Sequence, residues 1–215
     1  PMKRFPNSTA TTHFSITTIL TRPMIENFLP IFISGFFVAA ASGLIGSFLV
    51  LRKMTLLSDA LSHVALPGIA LGIIFNFQPL LGGLVFLFLT VLLIWRIEVR
   101  TKLAIESITG VLFVTALALG ALLIPGQELL EAFFGNVEKL QTPQIIFQIV
   151  FSIIIVGVAL KYLKPLVLSS IAPDLAQAAK ISQTKMQLIL LFLIASTITI
   201  GISFVGVLLM SALFI

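Results

Sequence analysis

Residues 56–68 read LLSDALSHVALPG: an aspartate, two serines and a histidine set into an apolar stretch. Continued to Phe75, the run is about 20 residues long, the length a helix needs to cross a bilayer. On such a helix Asp59 and His63, four residues apart, stack on one face a turn from each other, and Pro67 continues the row. Few of the chain's charges lie in its apolar runs, so polar side chains placed there need a reason.

The rest of the chain agrees with that reading. Hydrophobic residues make up 59% of it and charged residues 10%, with a mean hydropathy of +1.18, whereas a soluble domain is typically about 45–50% apolar and about 25% charged. The composition predicts an all-α, polytopic membrane protein, and the alternation of a membrane barrel is absent. With no cysteine, disulfides and thiolate metal ligands are excluded, so any metal must be met by His, carboxylate, Met or backbone oxygen. The pI near 9.9 reports which loops face the cytoplasm and implies no nucleic acid.

Residues 1–23 are polar and Thr-rich and read as an exposed or interfacial tail rather than a cleaved signal; the missing initiator Met reads as a trimmed start. Residues 24–215 read as one transmembrane domain of about seven spans. These fall at 28–51, 56–75, 80–94, 108–124, 145–163 and 186–203, and a seventh begins at Val205 and stops short. Span one, with SGFFVAAASGLIGS at 34–47, is rich in small residues and predicts a closely approaching partner helix. Pro67 with Gly68 predicts a loosened helix whose freed carbonyls line a path.

Basic residues orient the spans. Arg52 and Lys53 follow span one; Arg96, Arg100 and Lys102 follow span three; Lys161, Lys164, Lys180 and Lys185 follow span five. These nine of the 13 Lys and Arg share one side, while the loop from Pro125 to Pro143 holds Glu128, Glu131 and Glu138 with Lys139 alone. The positive-inside rule makes the first side cytoplasmic and puts the tail outside; Lys3, Arg4 and Arg22 dissent, but from a tail, where charge weighs less.

Asp59 and His63 admit two readings. A carboxylate and a neutral imidazole suit a transient relay for zinc, manganese or iron; equally, a buried Asp and His pair can be structural glue between helices. Two ligands fall short of the about four that a tight zinc site takes, and a second copy of the chain would supply the rest. The stretch LVLSSIAPDLAQAAKISQTKM, 166–186, is too polar to cross. Its Ser170 or Pro173 suits a helix start and Asp174 a first turn, predicting a cytoplasmic helix over about 170–183. That helix is either a handle gripped by a partner or an ordinary interfacial helix. Glu106 and Thr109 suit the first turn of span four, Trp95 an interfacial anchor, and His13 a solvated tail residue.

Enzyme motifs are missing: no phosphate loop, no H-E-x-x-H and no G-x-S-x-G occur. An intramembrane serine protease is disfavoured too, because His63 shares its helix with Ser62 and Asp59.

At FLVLRKMTLLSDALSHVALPGIALG, 48–72, the chain resembles the permease subunits of the zinc, manganese and iron ABC importers, the ABC-3 family. There an arginine-containing turn leads into D-A-x-S-H-x-x-L-P-G. ESITGVLFVTALALGALL (106–123), FFGNV (133–137) and FVGVLLMSALFI (204–215) are similar to further family segments, so the resemblance covers roughly 31–215. It implies a type II-like importer permease of the bacterial inner membrane, without its own ATPase motif and with no permanently bound cofactor. Its cargo is a divalent metal on a path through Asp59 and His63, with Ser58 and Ser62 as weaker oxygen donors.

The resemblance also implies partners: a cytoplasmic ATPase dimer, an extracytoplasmic metal-binding protein and a second permease subunit, as a homodimer or a pair, all in a lipid membrane. It gives IAPDLAQAAKIS, 171–182, the role of the coupling helix, with Pro173, Asp174, Leu175 and Ala176 docking on the ATPase. The family's D-P-E-x-A-x-x-x-G differs here, with Pro before Asp and Lys180 or a neighbour at the glycine. Family members run on for some tens of residues, so by the resemblance this chain stops inside a span, short of a working transporter. A siderophore or corrinoid ABC permease would need a wider, less charged path. An ion-gradient-driven metal carrier is the rival from another class, and a scaffold without transport is the third reading.

Overall fold

The computed structural model describes residues 16–101, 103–123 and 142–213. His13, Lys3, Arg4, the FFGNV segment and the loop carboxylates Glu128, Glu131 and Glu138 lie outside the described residues. The elements in chain order are α1 (Ile16–Leu51), α2 (Thr55–Ile74), α3 (Pro79–Thr101), α4 (Ile105–Leu123), α5 (Thr142–Lys161), α6 (Leu163–Ile171), α7 (Pro173–Ala178) and α8 (Gln183–Leu213). No strand occurs among the described residues.

Six of these helices are long and apolar enough to cross a membrane, against the seven expected. The difference arises at the end of α8. Gly206 has φ 79° and ψ 173°, a region open essentially to glycine alone. A Cβ on Gly201 would fall 1.8 Å from the Met210 sulfur, though nine residues of straight helix would hold the two about 13 Å apart. The chain therefore turns back at Gly206 and brings Met210, in the stretch read as a seventh span, against Gly201 of the sixth. At the other terminus α1 begins at Ile16, inside the segment read as a polar tail.

Three helices end alike. Lys53, Asn76 and Lys180 take positive φ of 59°, 54° and 59°. Behind each, paired bonds close the last turn: Lys53 N to Val50 O with Met54 N to Leu49 O, Asn76 N to Ile73 O with Phe77 N to Gly72 O, and Lys180 N to Gln177 O with Ile181 N to Ala176 O. This is the Schellman arrangement, built here without glycine.

α2 is the centre of the bundle. Some 72% of its span is buried, against 28% for α4 and for α5, because α3, α4 and α8 all pack on it. The closest backbone approach is between α2 and α3, at Gly68 and Gly82 and again at Gly72 and Pro79. Span one, expected to have a closely approaching partner, meets α8 at Gly35, where a Cβ would lie 2.8 Å from the Phe204 ring. α1 packs chiefly on α5 and α8, while Gly43 has open space around it. The signal for the approach of α2 and α3 was the Gly68-x-x-x-Gly72 spacing. α2 also runs unbroken through Pro67, so Gly68 serves close packing rather than an opened helix.

Polar side chains join the helices at both ends of the bundle. At the end remote from Arg52, the Ser34 hydroxyl donates to Gln148 Oε1 (2.6 Å) and Gln148 Nε2 donates to Ser203 Oγ (2.8 Å), tying α1, α5 and α8. At the basic end, Trp95 Nε1 donates to the Thr184 carbonyl (3.2 Å), so the indole ties α3 to α8 rather than only anchoring at the interface.

Candidate functional site

The 1.5 Å rise of an α-helix puts Asp59 about 6 Å and His63 about 12 Å along α2 from Thr55. Their stacking follows the sequence reading: His63 Nε2 lies 3.8 Å from Asp59 Oδ1, close but beyond hydrogen-bond length. Their surroundings differ. The His63 side chain is 11% exposed and that of Asp59 39% exposed. His63 is held edge-on by the Phe113 ring of α4, centroids 5.2 Å apart at 70°, a contact no sequence spacing announced. Asp59 is the more exposed of the two.

Ser58 and Ser62 are fully buried, and their hydroxyls donate to helix carbonyls, Ser58 to Thr55 O (2.8 Å) and Ser62 to Ser58 O (2.9 Å). Each oxygen keeps lone pairs but its proton is committed. Pro67 has no N–H to give the His63 carbonyl one turn earlier. Among the described residues no three His, Asp or Glu side chains converge as a metal set. The pair offers one imidazole and one carboxylate, ligand types that borderline divalent cations accept, but fewer than the about four that a tight zinc site takes.

The second region lies at the basic end. The stretch expected to be a single helix over 170–183 is divided: Ser170 ends in α6, α7 covers Pro173–Ala178, and Gln183 opens α8. Pro173 sits in the first turn of α7, where its missing N–H costs nothing, and Asp174 is in the same turn. Ala176 is fully buried while Leu175 is 63% exposed, so the short helix rests on its alanine and presents its leucine. Gln183 Nε2 donates to the Pro173 carbonyl (3.0 Å), bracing the loop. Lys180 takes the left-handed position that ends α7, which is where a glycine is favoured.

Sequence reading missed the polar cluster next to α7. Arg52 Nε donates to Ser170 Oγ (2.8 Å) and its terminal nitrogen to Ser169 Oγ (2.7 Å). Gln187 Nε2 donates to the Glu98 carboxylate. Arg52, Glu98, Glu106, Ser169, Ser170 and Gln187 line one open cavity of about 300 Å³. Burial lowers the proton affinity of the Arg52 guanidinium and the Glu98 carboxylate raises it; the side chain stays charged. Glu106 stands in the first turn of α4, as expected.

Residues 24–215 match the model of the ABC 3 transport family. The chain is 30% identical over 198 residues to the high-affinity zinc uptake system membrane protein ZnuB of Haemophilus influenzae, covering 89% of this chain and 76% of that one. It is 28% identical over 183 residues to the manganese transport system membrane protein MntC of Halalkalibacterium halodurans, covering 83% of this chain and 63% of the relative. Among solved structures it is similar to PsaBC from Streptococcus pneumoniae in complex with Fab, with a TM-score of 0.75 and 27% identity over 87% of this chain and 69% of that one.

Proposed function

The chain belongs to the ABC 3 transport family, and from that we propose that it is the membrane permease of an ATP-driven importer carrying a divalent transition metal, zinc, manganese or iron, into the cytoplasm. It is a multi-pass protein of the inner membrane and a permease subunit rather than an enzyme. The names of its relatives support zinc and manganese as cargo; iron rests on the chemistry of the ligands.

One observation carries the assignment of the path: the two ionisable side chains of the most enclosed span, Asp59 and His63, lie 3.8 Å apart on one face. A charge in mid-membrane costs about 2.5–3.5 kcal/mol on insertion scales and faces a cavity or a partner. Neutral imidazole nitrogen and carboxylate oxygen together favour zinc, manganese and iron over magnesium or calcium. Ser58 and Ser62 are weaker oxygen donors in this reading. With only two strong ligands the ion is held briefly and released, as a path requires.

The partial exposure of Asp59 also supports a second permease subunit, which would cover the carboxylate and offer a matching pair. A homodimer is the simplest form. ATP is hydrolysed by a cytoplasmic ATPase dimer, on which Pro173, Asp174, Leu175 and Ala176 of α7 dock, and an extracytoplasmic binding protein delivers the metal at the opposite end. The basic end then faces the cytoplasm, in keeping with its Lys and Arg.

The test is radiolabelled zinc and manganese uptake into vesicles carrying the permease and its ATPase, with and without ATP, for wild type, His63→Ala and Asp59→Ala. Loss of either ligand lowers ATP-driven uptake roughly tenfold or more, the factor set by about 1.4 kcal/mol. ATPase assembly is unaffected. Uptake indifferent to ATP would replace the reading with a gradient-driven carrier; wild-type uptake by the well-inserted double variant would remove Asp59 and His63 from the path.

A further inference from the structure

We propose that Arg52 is a positioning residue that latches α2, the helix of Asp59 and His63, to the chain just before α7, so that movement of α7 is delivered to the metal path. The inference rests on the reading of α7 as the ATPase docking helix and deepens it.

Three observations lead there. The first is the fork. The Arg52 guanidinium reaches across from the α1–α2 turn to the adjacent hydroxyls of Ser169 and Ser170, at 2.7 and 2.8 Å. Both serines spend their own protons on the Leu166 carbonyl, at 3.0 and 2.6 Å, so their oxygens are oriented to accept from the arginine. A planar guanidinium serves two acceptors at fixed geometry, which an ammonium does not.

The second is the length of chain on either side. Ser170 stands three residues before Pro173, where α7 begins, and Arg52 stands three before Thr55, where α2 begins. Both connections are hydrogen-bonded. Arg52, Lys53 and Met54 N–H donate to the Phe48, Val50 and Leu49 carbonyls of α1 and Leu57 N donates to Met54 O at 3.0 Å, so the turn couples the end of α1 to the first turn of α2. Beyond Ser170, Ala172 N donates to Leu168 O and Ala176 N to Ala172 O, both at 3.0 Å. Asp59 follows four residues after Thr55.

The third is the bracing of the cluster. Glu98, at the end of α3, faces Arg52 electrostatically and accepts from Gln187 of α8, while Gln183 holds the Pro173 carbonyl. These contacts tie α7 to α8, and α8 to α3. The Arg52 fork links the α7 region to the turn that launches α2. A part-buried guanidinium facing Glu98 and bonded to two hydroxyls is a costly way to hold two helices together if packing alone were at stake.

A latch and a merely structural contact differ in what they change. Losing a structural contact reduces the amount of working transporter, so metal uptake and ATP hydrolysis fall together. Losing a latch leaves hydrolysis running while fewer ions cross per ATP.

The experiment uses the permease assembled with its ATPase in proteoliposomes, with zinc and manganese uptake and ATP hydrolysis measured on the same preparations. Wild type is compared with Arg52→Ala, Arg52→Lys and the double variant Ser169→Ala with Ser170→Ala. Hydrolysis stays within roughly twofold of wild type while ions moved per ATP fall roughly tenfold in Arg52→Ala and the double-serine variant. Arg52→Lys, which keeps the charge beside Glu98 but not the fork, falls between. An unchanged ratio in Arg52→Ala, or a parallel fall of uptake and hydrolysis, overturns the latch. Should Arg52→Ala fail to accumulate, Arg52→Lys and the serine pair decide on the same criterion. Wild type that hydrolyses ATP without driving uptake overturns the importer reading itself, and the latch with it.

Discussion

Gly68 and Gly82 meet backbone to backbone across α2 and α3: a Cβ on Gly82 would lie 2.2 Å from the Gly68 carbonyl oxygen, and one on Gly68 2.5 Å from that of Gly82. At those distances the obstacle is backbone, which cannot turn aside as a flexible side chain can. The contact sits one turn and a residue beyond His63, so it sets how α2 lies against its neighbour just where the candidate path passes.

Gly82→Ala therefore forces α2 and α3 apart. The expected cost is about 1–3 kcal/mol, the range for overpacking a filled site, read as a lower thermal midpoint of the purified protein in detergent. Gly110→Ala, where open space surrounds the glycine, is the control and leaves the midpoint unchanged or slightly raised. Equal midpoints for Gly82→Ala and wild type would show that the two helices are not in backbone contact.

Lys180 occupies the left-handed position that closes α7, with φ 59°. Left-handed backbone costs an L-residue about 1–2 kcal/mol that glycine does not pay, offset in part by glycine's greater chain entropy. Lys180→Gly raises the thermal midpoint by roughly 2–4 °C for each kcal/mol gained in a chain of this size. A lower midpoint would mean that the lysine side chain contributes more than its backbone costs.

Asp174 stands in the exposed first turn of α7 beside the outward-facing Leu175. If that face docks on the ATPase, Asp174→Arg and Leu175→Asp each weaken the assembly, since one reverses a charge and the other removes an apolar anchor. Co-purification of the ATPase falls roughly tenfold for a loss of about 1.4 kcal/mol. Wild-type yields of complex with both variants would assign the docking face elsewhere.

Much of the molecule was legible in the sequence because its cause is local or compositional. A run of about 20 apolar residues can satisfy its backbone in a bilayer only as a helix, so six span positions followed from composition. The stacking of Asp59 on His63 followed from the helical period alone. Pro173 and Asp174 announced the start of α7 through first-turn chemistry. What misled the reading was also specific: apolarity past Val205 looked like a new span, since hydropathy carries no information about a single residue such as Gly206 taking a backbone angle that reverses the chain. Small residues along span one announced a close partner but not which helix it is, since counting glycines does not say which of them faces another.

The amino-acid sequence by itself determined that this is a helical membrane protein, which spans cross, and that a carboxylate and an imidazole share one face of the second. Tertiary structure alone decided that this second helix is the enclosed one, that Phe113 holds His63 while Asp59 stays partly exposed, and that Arg52 reaches Ser169 and Ser170. Those pairings join residues 50 to 118 positions apart. They depend on how whole helices pack, through backbone approach at Gly68 and Gly82 and the reversal at Gly206, and side-chain periodicity within one helix cannot encode them.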